Sequence, residues 1–219
     1  EGKPYKSSGG KMTFSKKAGK EIPSGWQYFN IGSIAEVKGR IGWRGYTIKD
    51  LTNEGPWVIG GKDIVNDFIE LSKARHISRE KFEESPEIIL RNLDIILAKT
   101  GTIGPIALFD EKNGEATINP NVGIIRSKMI NPVSLFFFLK SREAQHYLKE
   151  FVTSSVQPAI NQSTIKKLGF ALPTDKEIQE KIDSILFSIY KKQNQLVNEN
   201  ILLSNIRDAF LPKLMSGKI

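Results

Sequence analysis

From Ile178 to Phe210, apolar side chains return with a seven-residue period, and few structures can absorb that pattern. Ile182, Ile189, Leu196, Leu203 and Phe210 hold one heptad position; Ile178, Ile185 and Ile206 hold the alternate one, which is polar at Lys192 and Glu199. Eight apolar residues in ten seam positions make the stripe of a coiled-coil helix, which needs a second helix to cover it. Thr174 and Glu177 stand at capping-box spacing before it, and Pro212 limits its far end. At roughly 1.5 Å per residue, the rod from Asp175 to Phe210 is about 54 Å long, more than its own domain can cover. The expectation is a protruding helix that pairs with another; the alternative is a helix laid flat along its own domain. The polar pair in mid-seam weakens zippering and sets register.

The chain before this rod reads as mixed α/β. Residues 1–20 are rich in Gly, Ser and Lys and read as a flexible basic linker. Trp26 to Ile31 has strand composition, and the IAEV after it reads as a helical turn. PWVIGG is a short strand closed by glycines, and LDIILA, Leu93 to Ala98, is a strand buried on both faces with PIALF as its neighbour across TGTIG. ATINPNVGIIR is extended; a helix starts near Asn131, with Pro132 at its first position, and runs to about Phe151. The polar loop TSSVQPAINQS follows, with Ser163 as a cap before the strand LGFAL. This divides the chain into a linker at 1–20, a globular domain at 21–173 and a long-helix region at 174–219.

Charge is unevenly placed along the 219 residues. The net +8 comes from the two ends, because residues 21–150 carry 17 basic and 17 acidic groups. Local segregation matters more than the sum. Lys38 to Lys49 holds four cations and no acid, on the glycine-rich stretch KGRIGWRGYT. Trp43 there reads as a core anchor under a turn, and Lys38, Arg40, Arg44 and Tyr46 as a loop laid against a polyanion, since arginine is the commonest reader of guanine. Lys99, Thr100 and Thr102 in the TGTIG turn offer a cation, hydroxyls and backbone N–H groups to phosphate, although the same glycines also suit an ordinary hairpin. In the late loop, Gln157, Asn161, Gln162 and Ser163 bring amides that read base edges and hydroxyls that hold phosphate.

Catalysis finds no foothold. The chain has no cysteine, which removes thiolate metal sites, cysteine nucleophiles and disulfides. His76 and His146 lie far apart without ligand spacing, and no G-x-S-x-G, P-loop or H-E-x-x-H occurs. TINPN is only a fragment of a methyltransferase segment and reads as a turn. Asp94 and Lys99 flank a strand, but five residues apart they lie on opposite faces, which argues against a metal-dependent nuclease. The longest apolar run, LFFFL, is far too short to span a bilayer.

Taken in order, IPSGW, NIGSIAEVKGRIGWRGY, LAKTGTIGPIAL, ATINPNVGIIR and SSVQPAINQSTIKKLGFALP, closed by a long helix from DKEIQEKI to AFLPKLMSGKI, resemble one half of the specificity subunit of a type I restriction–modification system. The resemblance covers essentially the whole chain. It departs at ALPTDKEIQ, where the family more often has a proline-rich PLPPLEEQ-like stretch. It implies a target-recognition domain followed by a conserved spacer helix, non-catalytic and cytoplasmic. The implied partners are double-stranded DNA, methyltransferase subunits that bind S-adenosylmethionine, and through them the restriction subunit. No cofactor is implied for this chain. It gives the seam of Ile178, Ile182, Ile185, Ile189, Leu196, Leu203, Ile206 and Phe210 the task of antiparallel pairing, including a homodimer of two such chains. The opening EGKPYKSSGGK resembles the connector before the second recognition domain of longer members, so a carboxy-terminal half or a naturally short half-subunit is expected. A rod of about 54 Å, at roughly 3.4 Å per base pair, corresponds to about 16 base pairs, so the expected target is interrupted, and palindromic if two identical copies pair. The competing expectations are a structural adaptor without DNA contact and a nuclease with an unrecognised metal site.

Overall fold

The computed structural model describes residues 5–7, 9–40, 45–152 and 158–217. A four-stranded antiparallel sheet forms the centre, in the order β10 (Ile106–Leu108), β9 (Ile95–Ala98), β12 (Val122–Ser127), β4 (Ala35–Lys38). Its two faces are filled by alternate residues of the same strands, as the pleat requires. Ile95, Leu97, Ile106, Leu108 and Ile125 face one core; Ile96, Ala98, Ala107, Val122 and Ile124 face the other. Within LDIILA, the strand residues Ile95 to Ala98 are therefore all apolar because both faces of β9 are covered, as the composition predicts. Each fully buried isoleucine here contributes about 1.5–3 kcal/mol.

The first core is closed by helices: α1 (Ile31–Ile34), α3 (Pro132–Lys140), α4 (Arg142–Glu150) and α5 (Gln162–Lys167). The second is closed by the sheet β11–β5–β8, in which β5 (Leu51–Ile59) pairs parallel to β11 (Ala116–Ile118) and antiparallel to β8 (Arg75–Ile77). A buried Arg126–Asp94 pair stands where β9 begins: Nε donates to Oδ1 at 2.8 Å and Nη2 to Oδ2 at 2.6 Å. Asp94 also accepts from the Arg91 amide, so the acid tested above as a nuclease group is structural.

Several expectations need correction. Residues 12–23 form a hairpin, β1 (Met12–Ser15) with β2 (Lys20–Pro23), inside and beyond the stretch read as linker. The helical turn comes one step earlier than expected, at Ile31–Ile34, and AEVK is strand β4, because Ala35 and Val37 must face the core as alternate residues. The helix after Asn131 breaks at Ser141, whose hydroxyl accepts from the Ala144 amide and caps a second helix. Asn161, not Ser163, caps α5. Between them, β3 (Trp26–Asn30) pairs with β13 (Gly169–Pro173), which leads into the last helix.

That helix, α6, runs Lys176–Met215, about 60 Å. Its cap is Asp175, accepting from the Glu177 and Ile178 amides, while Thr174 donates its hydroxyl to the Gly25 carbonyl. Pro212 lies within it rather than ending it. One face, through Gln179, Ile182, Asp183, Leu186 and Tyr190, is half-buried against the body. Ser134 donates to Asp183, and the Tyr190 ring meets Phe136 edge-on at 6.0 Å. The opposite face leaves Ile178, Ile185, Ile189, Leu196, Leu203, Ile206 and Phe210 exposed. Both readings of the rod are thus partly realised: it leans on its own domain, yet its seam, Ile182 apart, is not covered there. No helix among the described residues is long and apolar enough to cross a membrane.

Candidate nucleic-acid interface

Antiparallel pairing places the end of β4, the end of β9 and the start of β12 at one edge of the central sheet, since Lys38 pairs with Ile124 and Ala98 with Val122. The loops that follow are clasped together there, largely by backbone groups. Lys99 and Thr100 amides donate to the Asn121 carbonyl at 2.9 and 3.2 Å. The Gly101 amide donates to Pro158 at 2.8 Å, and the Ile160 amide to Lys99 at 2.9 Å. Gln162 completes the clasp: its side-chain amide lies between the Val37 carbonyl and the Gly39 amide, and with the nitrogen turned to Val37 it donates there at 3.0 Å while the oxygen accepts from Gly39 at 3.3 Å. The three stretches singled out from sequence, each distant from the others in the chain, therefore meet at one end of the body.

Lys99 occupies the middle of this arrangement. Glycines flank its stem: a side chain at Gly39 would start 3.6 Å from its Cε, and one at Gly123 would start 3.7 Å from its Cδ. Burial lowers the Lys99 pKa, with no carboxylate contributing. A half-buried ammonium with no carboxylate partner among the described residues is suited to a phosphate. Lys38 is differently placed, 2.9 Å from Glu36, which Lys128 also approaches at 2.7 Å. The two ammonium groups hold the Glu36 carboxyl down at about 2. The hairpin reading of TGTIG holds, with Gly101 and Gly104 at φ of +77° and +114°, where a Cβ would be strained.

Other predicted residues take different positions. Arg40 is 6% exposed, and its guanidinium faces inward: Nε donates to the Ile118 carbonyl at 2.9 Å and Nη2 to Thr117 Oγ1 at 3.1 Å. It holds the loop rather than presenting a charge, because a buried guanidinium takes the unpaired acceptors around it. Tyr46 lies half-buried over Arg40, 5.5 Å from the guanidinium carbon to the ring centre, and burial raises its pKa. Thr102 is exposed beside Lys140, Gln145 and Lys149, on a cavity of about 350 Å³. Asn161 accepts from the Thr164 amide and from the Ser163 hydroxyl, and both residues are exposed. Arg44, Gln157 and the anchor Trp43 lie outside the described residues.

The sequence reading missed the part played by Asn119 and Asn121. Asn119 Oδ1 accepts from the Asn121 amide at 2.9 Å, an Asx turn that presents the carbonyl on which Lys99 and Thr100 rest. TINPN reads as a turn from sequence, but its neighbour is set by sheet pairing. Of the histidines, His76 lies tilted against Trp57 with ring centres 3.7 Å apart, and His146 lies beside Glu150 at the surface.

The molecule is thus a mixed α/β body that gathers glycine-rich, cationic and amide-bearing loops at one sheet edge and carries a long helix with an open apolar seam. The chain belongs to the family of the type I restriction modification DNA specificity domain, whose model matches residues 23–203. It is similar to the type I restriction enzyme MjaIX specificity subunit of Methanocaldococcus jannaschii, 28% identical over 199 residues, 87% of this chain and 45% of that protein. Among solved structures, the S subunit of the type I restriction–modification system from M. genitalium matches with a TM-score of 0.62 at 17% identity, over 87% of this chain and 46% of the other. The HsdS subunit from Thermoanaerobacter tengcongensis gives 0.59 at 17%, over 92% and 47%. These structural likenesses concern the fold. The chain spans a little under half the length of each of these relatives.

Proposed function

We propose that this chain reads one part of an interrupted DNA target for a type I restriction–modification complex and is itself non-catalytic. The observation that carries the reading is the convergence of residues 38–40, 99–101 and 158–162 on one sheet edge around Lys99. In this reading Lys38, Lys99 and Thr100 hold phosphate, Arg44, Gln157, Asn161, Gln162 and Ser163 supply base contacts, and Thr102 extends the surface towards Lys140 and Lys149. Arg40 and Tyr46 move from the contact set to its scaffold.

The exposed seam of α6 pairs with the equivalent helix of a second copy, antiparallel, and docks methyltransferase subunits. Those partners bind S-adenosylmethionine and link to the restriction subunit. The complex works in the cytoplasm, where the DNA is.

A fluorescence titration against random and target-bearing duplexes, across salt and with and without divalent metal, tests the reading. Salt-dependent binding without cleavage is expected. Absence of binding supports a protein-binding adaptor instead, and cleavage supports a nuclease.

A further inference from the structure

Next to the clasped loops lies a smaller cavity, about 250 Å³, lined by Tyr46, Val58, Lys62, Asp63, Arg75 and Asn119. Two of its walls, Tyr46 and Asn119, belong to the same loop cluster. Its position is held by Gly60, where any side chain would collide with the Asn119 amide, and by Gly61, where one would press on Ala98. Asp63 is 2% exposed. One carboxylate oxygen, Oδ2, accepts from the Gly60 amide at 2.8 Å. The other, Oδ1, is buried without a hydrogen-bond partner among the described residues.

An unpartnered buried carboxylate oxygen is costly unless something donates to it. Burial pushes the Asp63 carboxyl upward, as expected for an acceptor that lacks a donor. The rest of the lining narrows the class of donor: an aromatic face on Tyr46, an amide on Asn119, and the cations Lys62 and Arg75. A flat ring bearing an N–H donor, attached to a phosphate, fits that set. At 2% exposure, Asp63 lies too deep for a base left in its stack.

We propose that this cavity takes the exocyclic amine of a DNA base that has swung out of its stack, with Asp63 as acceptor and Lys62 and Arg75 on the adjoining phosphate. Adenine, cytosine and guanine carry an exocyclic amine; thymine has none, and its single N3–H donor lies between two keto oxygens that would face the Asp63 carboxylate. The proposal rests on the DNA-binding reading above and adds the base class that one position selects.

The test uses unpaired bases, short oligo-dC and oligo-dT of equal length, titrated at fixed salt and neutral pH. Equal length makes the phosphate contribution cancel, so the ratio of affinities reports the base. The expected result is oligo-dC bound about tenfold tighter, the worth of one hydrogen bond to a charged acceptor. In Asp63→Asn, one of the two acceptor oxygens is replaced by an NH2 donor and the negative charge is lost, so the ratio falls or inverts. A third oligonucleotide, carrying a pyrimidinone without the exocyclic amine in place of cytosine, tests the unaltered protein and should bind no better than oligo-dT. A ratio near one in the wild-type chain, or a ratio unchanged by the loss of the amine, overturns the proposal. Duplex titrations run in parallel separate the causes: salt-dependent duplex binding with a ratio near one removes this cavity alone, whereas no nucleic-acid binding removes the DNA reading with it.

Discussion

The loop-bearing edge of the sheet and the outer face of α6 are both surface regions, but they are held in opposite ways. The loops are clasped by backbone groups, such as Lys99 and Thr100 on Asn121 or Gly101 on Pro158. The outer face of α6 is defined wholly by side chains, Ile185 to Phe210, on a backbone satisfied within its own helix. Main-chain clasps depend little on the side chains the loops carry, Gln162 and the positive-φ glycines apart, so the other loop residues can change while the edge keeps its shape. A heptad stripe has no such freedom, since each residue is itself the contact.

Substitutions at four positions sharpen or break that comparison. The largest effect is expected at Arg40, whose buried guanidinium bonds the Ile118 carbonyl and Thr117. Arg40→Ala leaves Thr117 and the Ile118 carbonyl short of a donor and should cost about 2–3 kcal/mol in urea unfolding. A loss of DNA affinity with unchanged stability would return Arg40 to the interface. Next is Leu203, 62% exposed: Leu203→Glu should weaken helix pairing by about thirtyfold, seen as a fall in molar mass in sedimentation. The body should unfold within about 0.5 kcal/mol of the wild type. A large loss of body stability would mean that the stripe is covered internally.

Smaller effects lie in the loops. Lys99→Ala should lower duplex affinity about tenfold and reduce the salt slope by about one. Because burial depresses the Lys99 pKa, the wild type loses this charge as pH rises through the lowered value. Affinity should then fall by at most about tenfold per pH unit on the alkaline side. Lys99→Arg should remove that pH dependence, because arginine stays charged. Smallest is Glu36→Gln, which releases Lys38 and Lys128 from their shared carboxylate and should tighten non-specific binding about threefold at low salt. Unchanged affinity would place both lysines off the DNA path.

Much of the scaffold was legible in the chain because its signals are local. The heptad of α6, the apolar run of β9 and the asparagine–proline start of α3 each depend on neighbours within a turn or two. The misreadings share another cause. AEVK carries no period long enough to separate strand from helix, and only its pairing with β12 decides. Ser141 is permissive in a helix, and its break depends on α4 finding Ala144 and Leu148 a place in the first core. The second stripe of α6, through Leu186 and Tyr190, was overlooked because the outer heptad was already complete.

The candidate site divides along the same line. Residue types and loop chemistry at Lys38, Lys99 and Gln162 could be read from sequence, because cations, glycines and amides carry their chemistry wherever they stand. Which of them face outward could not. Arg40 and Lys38 are two residues apart in one cationic stretch, yet one is buried against Thr117 and the other is paired at the surface. Asp63 sits in a plain GGKD turn and becomes notable only when Asn119 and Tyr46 close a cavity over it. The sequence by itself determined a mixed α/β body, a long two-faced helix and the chemical stock of its loops, since periodicity and residue chemistry act over short range. Only the tertiary structure decided which loops share an edge and which charges are buried, because strand register and burial arise from contacts between residues far apart in the chain.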